Sequence, residues 1–221
     1  MNGLTPDGLL QFWVKRWDDI LDLVLQHLAV VALSTVIAIA IGVLLGIAVW
    51  NRPTGRAFTI AAAGVAITIP SLALLALITP LFGLGWTPTV VALVFYSLLP
   101  IVRNTVVGLR DVSPAIMESA RGMGMSSTMT LFRVQLPLAW PIILTGVRVA
   151  AQLTIGIAAI AAYVAGPGLG RYIFQGLSSL GSLNALNFAL TGTLGVVILA
   201  LLVDGAFVLI SRLTTPRGLR V

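Results

Sequence analysis

Hydrophobic positions in this chain fall in long unbroken runs rather than in the short alternation of a soluble fold. Residues 28–49 carry no charge, and residues 57–102 form a charge-free stretch far too long for one membrane crossing. A helix spanning the ~30 Å hydrocarbon layer needs about 20 apolar residues. Pro80, Gly83, Gly85 and Pro88 punctuate the long stretch and predict spans near 58–79 and 87–107. Two more spans are expected at about 138–163 and 186–211. The predicted fold class is all-α, a polytopic membrane protein with about five transmembrane helices. Residues 1–26 read as an external segment, 27–212 as the membrane domain, and 213–221 as a cytoplasmic tail. A polar loop interrupts the membrane domain at about 108–137.

Composition agrees with this partition. Hydrophobic residues make up 58% of the 221 and charged residues only 9%, against about a quarter charged in soluble domains. The net charge of +6 would suggest nucleic acid if it were clustered. Here the basic residues stand singly between apolar runs, as topology signals do, and no nucleic-acid partner is expected. There is no cysteine, which removes disulfides and thiolate metal sites, and no metal site is expected. Asp18, Asp19 and Asp22 precede the first span, and no small-residue cleavage site follows, so a removable signal peptide is not expected.

Arginines select the orientation through the positive-inside rule. Arg52, Arg56, Arg103, Arg110, Arg121, Arg133, Arg212, Arg217 and Arg220 fall to one side, and Lys15, Arg16 and Arg171 to the other. The N-terminus is expected outside, with the 108–137 loop and the C-terminus in the cytoplasm.

Within that loop Ser113-Pro114 reads as a helix start, with serine as cap and proline at the first helical position. From there to Gly124 the helix would be about 16 Å long, too short to cross a bilayer. Ile116, Ala120, Met123 and Gly124 fall on one stripe. Ser119, Ala120, Gly122 and Gly124 keep its surface low enough for another backbone to approach. Ser126 and Ser127 are placed to cap a second short helix leading through Phe132 to Pro137. A helix resting on lipid headgroups would instead carry bulky apolar and several basic residues.

These residues carry a family resemblance. Glu118-Ser119-Ala120, three residues, Gly124, nine residues, then Val134-Gln135-Leu136-Pro137 resembles the EAA loop of ATP-binding-cassette importer permeases, with serine and valine as mild departures. The resemblance implies a type I (MetI-like) importer permease fold, and a coupling helix of Glu118, Ser119, Ala120, Arg121, Gly122, Met123 and Gly124, closed by Pro137. Residues 69–73 (Ile-Pro-Ser-Leu-Ala), 96–105 and 166–170 (Gly-Pro-Gly-Leu-Gly) are similar to segments of osmoprotectant permeases, which carry glycine betaine, choline, carnitine and related quaternary amines. Pro167 departs from their usual glycine. The resemblance further implies separate partners: a cytoplasmic ATPase dimer that holds ATP and Mg, an extracytoplasmic substrate-binding protein, and a second permease copy or paralogue in the bilayer. It implies a bacterial or archaeal inner membrane. The chain itself lacks a nucleotide-binding GxxxxGK(S/T) segment and is expected to bind no cofactor and to catalyse nothing.

Other residues are singled out for a path or gate. Pro70 and Pro100 each remove a backbone hydrogen bond at membrane depth; Ser71, Tyr96, Asn104, Gly168 and Gly170 accompany them. Gly42 and Gly46 form a GxxxG pair suited to close helix approach, or simply a small-residue surface. Arg148 and Asp204 are the deepest charges, and each needs a partner or an interface; the expectation is that they pair with one another or face the cytoplasmic vestibule. His27, at the outer end of the first span, is a conceivable pH-sensitive group, but a lone histidine there is far more often a polar boundary residue, and it receives no function. Competing classes are a secondary transporter or channel, which needs inverted repeats or ion-binding polar groups in the spans, and an intramembrane enzyme, for which no nucleophile–base pair is visible. Within the importer class the alternative is a permease for methionine, another amino acid or another small nutrient.

Overall fold

The computed structural model describes residues 6–215; Arg217 and Arg220 lie outside the described residues. Among these residues there are helices and turns and no strand. The helices are α1 (Pro6–Lys15), α2 (Trp17–Val49), α3 (Pro53–Thr68), α4 (Ser71–Phe82), α5 (Trp86–Arg110), α6 (Pro114–Gly122), α7 (Ser127–Thr130), α8 (Leu136–Ala161), α9 (Gly170–Ser178) and α10 (Ala185–Thr214). Among the described residues four helical stretches are long and apolar enough to cross a membrane, and α3 with α4 makes a fifth if that broken pair is one span.

The spans differ from the sequence expectation in four places. The first spanning helix, α2, starts at Trp17 rather than near residue 28. No glycine or proline interrupts 17–41, and Asp18 and Asp19 sit in its first turn, where the helix dipole favours negative charge. The span expected at 58–79 is interrupted at residues 69–70. Pro70 has no N–H and pushes Ile69 out of helical geometry, Thr68 Oγ1 folds back on the Val65 carbonyl at 2.7 Å, and the Pro70 carbonyl accepts the Leu74 N–H at 3.0 Å to begin α4. Pro80 lies inside α4 and does not end it; the stop falls at Gly83 and Gly85, with φ of 78° and 98°, a region that favours glycine. The expected second short helix does not stand apart. α7 passes through a π-turn (Leu131–Gln135) directly into α8. Pro137, with no N–H and a ring that crowds the preceding turn, follows that π-turn, where the helical ladder is already widened.

Two compact units divide the chain, and α2, α5, α8 and α10 each run from one into the other. One unit holds residues 1–36, 69–94 and 151–204. Its aromatic centre is Phe12, Tyr172 and Phe188, with Phe12–Phe188 and Tyr172–Phe188 edge-to-face at 4.9 and 5.0 Å. The Arg16 guanidinium covers Phe188 at 4.9 Å and Phe12 at 5.5 Å, and the Trp13 indole N–H donates to Thr191 Oγ1 at 2.8 Å. These contacts hold α1 on α9 and α10. Burial raises the Tyr172 phenol above its usual range; its hydroxyl meets no partner at hydrogen-bond distance, so the nearby Arg16 acts on it through space.

The other unit holds residues 37–68, 95–150 and 205–221. Gly42 and Gly46 do serve close approach. A Cβ on Gly42 would stand 2.7 Å from Ile101 Cγ2, and one on Gly46 would stand 2.6 Å from Thr105 Cβ. The four-residue spacing on α2 thus meets the same spacing on α5. α8 comes as close to α5, since a Cβ on Gly146 would meet Asn104 Cβ and the Pro100 carbonyl at 2.6 Å. Small residues that let backbones approach are the main packing device inside a bilayer.

Candidate functional site

The polar segment between α5 and α8 forms a short exposed helix with a sharp stop. Pro114 occupies the first position of α6, and the Ser113 carbonyl accepts the Ile116 N–H at 3.1 Å. The Ser113 hydroxyl makes no capping bond, contrary to expectation. At the other end the Met125 N–H reaches the Ala120 carbonyl at 3.1 Å and the Gly124 N–H reaches the Arg121 carbonyl at 2.9 Å. Gly124 has φ 80°. This is a Schellman stop, whose left-handed position glycine fills without strain. Ser126 then caps α7, its Oγ accepting the Met129 N–H at 3.3 Å. Ser126→Ala should therefore lower stability by about 1 kcal/mol, whereas Ser113→Ala should leave it unchanged, as thermal unfolding of the purified chain would show.

The expected stripe is not one buried face. Ala120 is 1% exposed, while Ile116 is 42% and Met123 70% exposed. Glu118, Ser119, Arg121, Gly122, Gly124 and Pro137 are exposed as well. Ala120 anchors the helix from beneath, and the others form an outer surface. Over Gly122 and Gly124 nothing lies within 4 Å of where a Cβ would stand. A cavity of about 290 Å³ opens beneath α6, lined by Trp50, Asn51, Met117, Arg121, Thr130 and Gln135. Gln135, part of the sequence motif, is 3% exposed; its inward position follows from the π-turn, which residue spacing does not reveal. The Arg56 guanidinium donates to the Trp50 carbonyl at 3.2 Å, placing a cation at the end of α2, where the dipole favours one.

The residues singled out for a path are divided between the two units, Pro70, Ser71, Gly168 and Gly170 in one and Tyr96, Pro100 and Asn104 in the other. Pro70 is exposed and Ser71 half-buried at the broken span. Tyr96 is buried, and α5 runs through buried Pro100 without interruption, with Asn104 Nδ2 donating to the Pro100 carbonyl at 2.8 Å. Gly168, in the turn before α9, and Gly170, which opens α9, are buried. Arg148 and Asp204 belong to different units. The Asp204 carboxylate accepts a hydrogen bond from the Gln152 amide, a partner the sequence reading did not name. Among the described residues no three metal-ligating side chains cluster.

Long apolar helices, one broken span and a short exposed helix between spans define, among the described residues, a polytopic membrane protein. The chain belongs to the family of binding-protein-dependent transport system inner membrane components, whose model matches residues 38–215. It is 38% identical over 195 residues to a glycine betaine/carnitine/choline transport system permease protein of Bacillus subtilis, covering 88% of each chain. It is 35% identical over 212 residues to a choline transport system permease protein of the same organism, covering 96% of each. An osmoprotectant import permease protein of Salmonella typhimurium is 38% identical over 203 residues, covering 90% of this chain and 93% of that one. The fold is similar to that of the MetNI methionine ABC transporter in inward-facing conformations, with a TM-score of 0.76, 22% identity, and coverage of 87% of this chain and 94% of that one.

Proposed function

We propose that this chain is the membrane-spanning permease subunit of an ATP-driven importer of osmoprotectants, quaternary amines such as glycine betaine, choline and carnitine. The observation that carries the reading is α6, a capped, exposed helix with an uncovered glycine edge, in a chain whose relatives are named for these substrates. A permease converts the strokes of a motor into alternating access only if its outward and inward states differ in their contacts. α6 supplies the handle for such strokes. Glu118, Ser119, Arg121, Gly122, Met123 and Gly124 face a cytoplasmic ATPase dimer, which binds ATP and Mg, and Ala120 transmits the load to the body.

In this reading the N-terminus lies outside and α6 in the cytoplasm, as the arginine distribution favours. A second permease copy or paralogue completes the path, and an extracytoplasmic binding protein delivers the solute. Quaternary ammonium groups bind aromatic cages; with the Phe12, Tyr172 and Phe188 faces given to Arg16 and to one another, tight recognition falls to the binding protein. Pro70 and Ser71 at the broken span, with Tyr96, Pro100 and Asn104, remain the path candidates. The deciding experiment co-expresses the chain with candidate ATPase and binding-protein partners and follows labelled glycine betaine or choline in vesicles. Uptake that requires ATP and the binding protein is expected. Uptake driven by an ion gradient without ATP would sink the reading, and ATP-driven uptake of an amino acid alone would replace the substrate class.

A further inference from the structure

His27 is the chain's single histidine, and it is fully buried. Its two ring nitrogens meet groups more than a hundred residues away in the chain. Nε2 lies 3.1 Å from the Ile155 carbonyl of α8, and Nδ1 lies 3.3 Å from the Leu169 N–H. A carbonyl only accepts and a backbone N–H only donates. Both bonds form together only when the ring is neutral and its proton sits on Nε2, donating to Ile155 and accepting from Leu169.

The turn that His27 holds is clamped from every side. Gly168 has φ 105°, and a Cβ there would stand 2.7 Å from His27 Cβ and 2.8 Å from His27 Cα. A Cβ on Gly166 would meet the Ala161 carbonyl oxygen at 2.6 Å and Thr89 Oγ1 at 2.7 Å. The Gly166 N–H donates to the Ala161 carbonyl at 2.9 Å, and the Gly85 N–H donates to the Val164 carbonyl at 3.0 Å. α2, α5, α8 and the end of the α4–α5 loop therefore all grip residues 164–170, although three of those residues are glycines, the type with most freedom to move.

We infer that His27 is a positioning residue whose neutral imidazole bolts the 165–170 turn to α2 and α8. This corner then travels as one block during transport, and the glycines serve close packing instead of flexing as a gate. The inference rests on the importer reading, and its test separates the two. Because there is one histidine, the chain labelled with ¹⁵N-histidine and reconstituted with unlabelled partners reports a single imidazole. The expected spectrum is that of a neutral ring protonated on Nε2, unchanged between the resting complex and the complex trapped with ATP. A Nδ1-protonated ring, an imidazolium, or a change between the two states would overturn the inference.

Transport supplies the second arm. His27→Gln keeps one donor and one acceptor and should hold solute uptake per ATP within about twofold, whereas His27→Leu, which leaves the Leu169 N–H without its acceptor, should lower that ratio about tenfold. Wild-type coupling in His27→Leu would also overturn the inference. Should His27→Leu fail to accumulate in the membrane, the spectrum of the wild-type chain decides alone. Wild-type vesicles that take up no quaternary amine under ATP count against the importer reading instead, and leave the imidazole spectrum as the judge of His27.

Discussion

Replacing Gly122 with tryptophan is expected to abolish ATP-driven uptake while leaving the chain folded and inserted. Gly122 ends α6 within the helix itself, and nothing lies within 4 Å of its missing side chain. A Cβ there meets nothing inside this chain, and any residue but proline suits a helical position better than glycine, which costs about 1 kcal/mol against alanine. An indole on that surface would hold a docking partner away from the Ser119–Gly124 edge. Uptake should fall by about 100-fold, the upper range of ordinary coupling free energies, with ATPase activity persisting uncoupled or the ATPase lost on purification. Gly122→Ala should transport normally. Gly124 is a poorer probe, because its φ of 80° strains any side chain whatever docks there. Full uptake by the tryptophan variant would remove α6 as the coupling surface.

The second large effect concerns folding. Gly42→Ala places a methyl group 2.7 Å from Ile101 Cγ2, and Ile101 is fully buried. Overpacking of this kind costs about 1–3 kcal/mol. Ile101→Ala alone should cost about 2–5 kcal/mol through the cavity it leaves. Together the two should cost less than their sum, by about 1 kcal/mol or more, because the new methyl occupies space the isoleucine vacated. A residual clash with the position 101 Cβ, 3.0 Å away, keeps the double variant below wild type. Unfolding of the four proteins in mixed micelles would measure the cycle. Strict additivity would mean that the α2–α5 contact at Gly42 is not formed in the folded chain.

Much of this was legible before any coordinates. The charge-free runs at 28–49 and 57–102 announce membrane spans because the bilayer requires about 20 apolar residues whatever the partner helices do. The Glu118–Pro137 segment stands out because its glycines, serines and prolines are local signals, read from φ preferences and capping chemistry. The Gly42–Gly46 spacing announces a contact without naming what it meets. Arg148 and Asp204 show the limit of such reading. Hydropathy demands a partner for Asp204, yet says nothing of Gln152, about one turn beyond Arg148 on α8.

The chain alone determined the membrane class, the approximate spans, the polar segment at 118–137 and the resemblance to importer permeases, since each depends on composition or spacing within one short stretch. Tertiary structure alone decided that the 58–79 span breaks at Pro70 while α5 runs through Pro100, that Ala120 points inward while Ile116 and Met123 stay exposed, and that buried His27 meets the Ile155 carbonyl and the Leu169 N–H. The reason is that a buried side chain is defined by what covers it and a buried hydrogen bond by its second partner. Ile155 and Leu169 are 128 and 142 residues from His27 along the chain, beyond the reach of any local pattern.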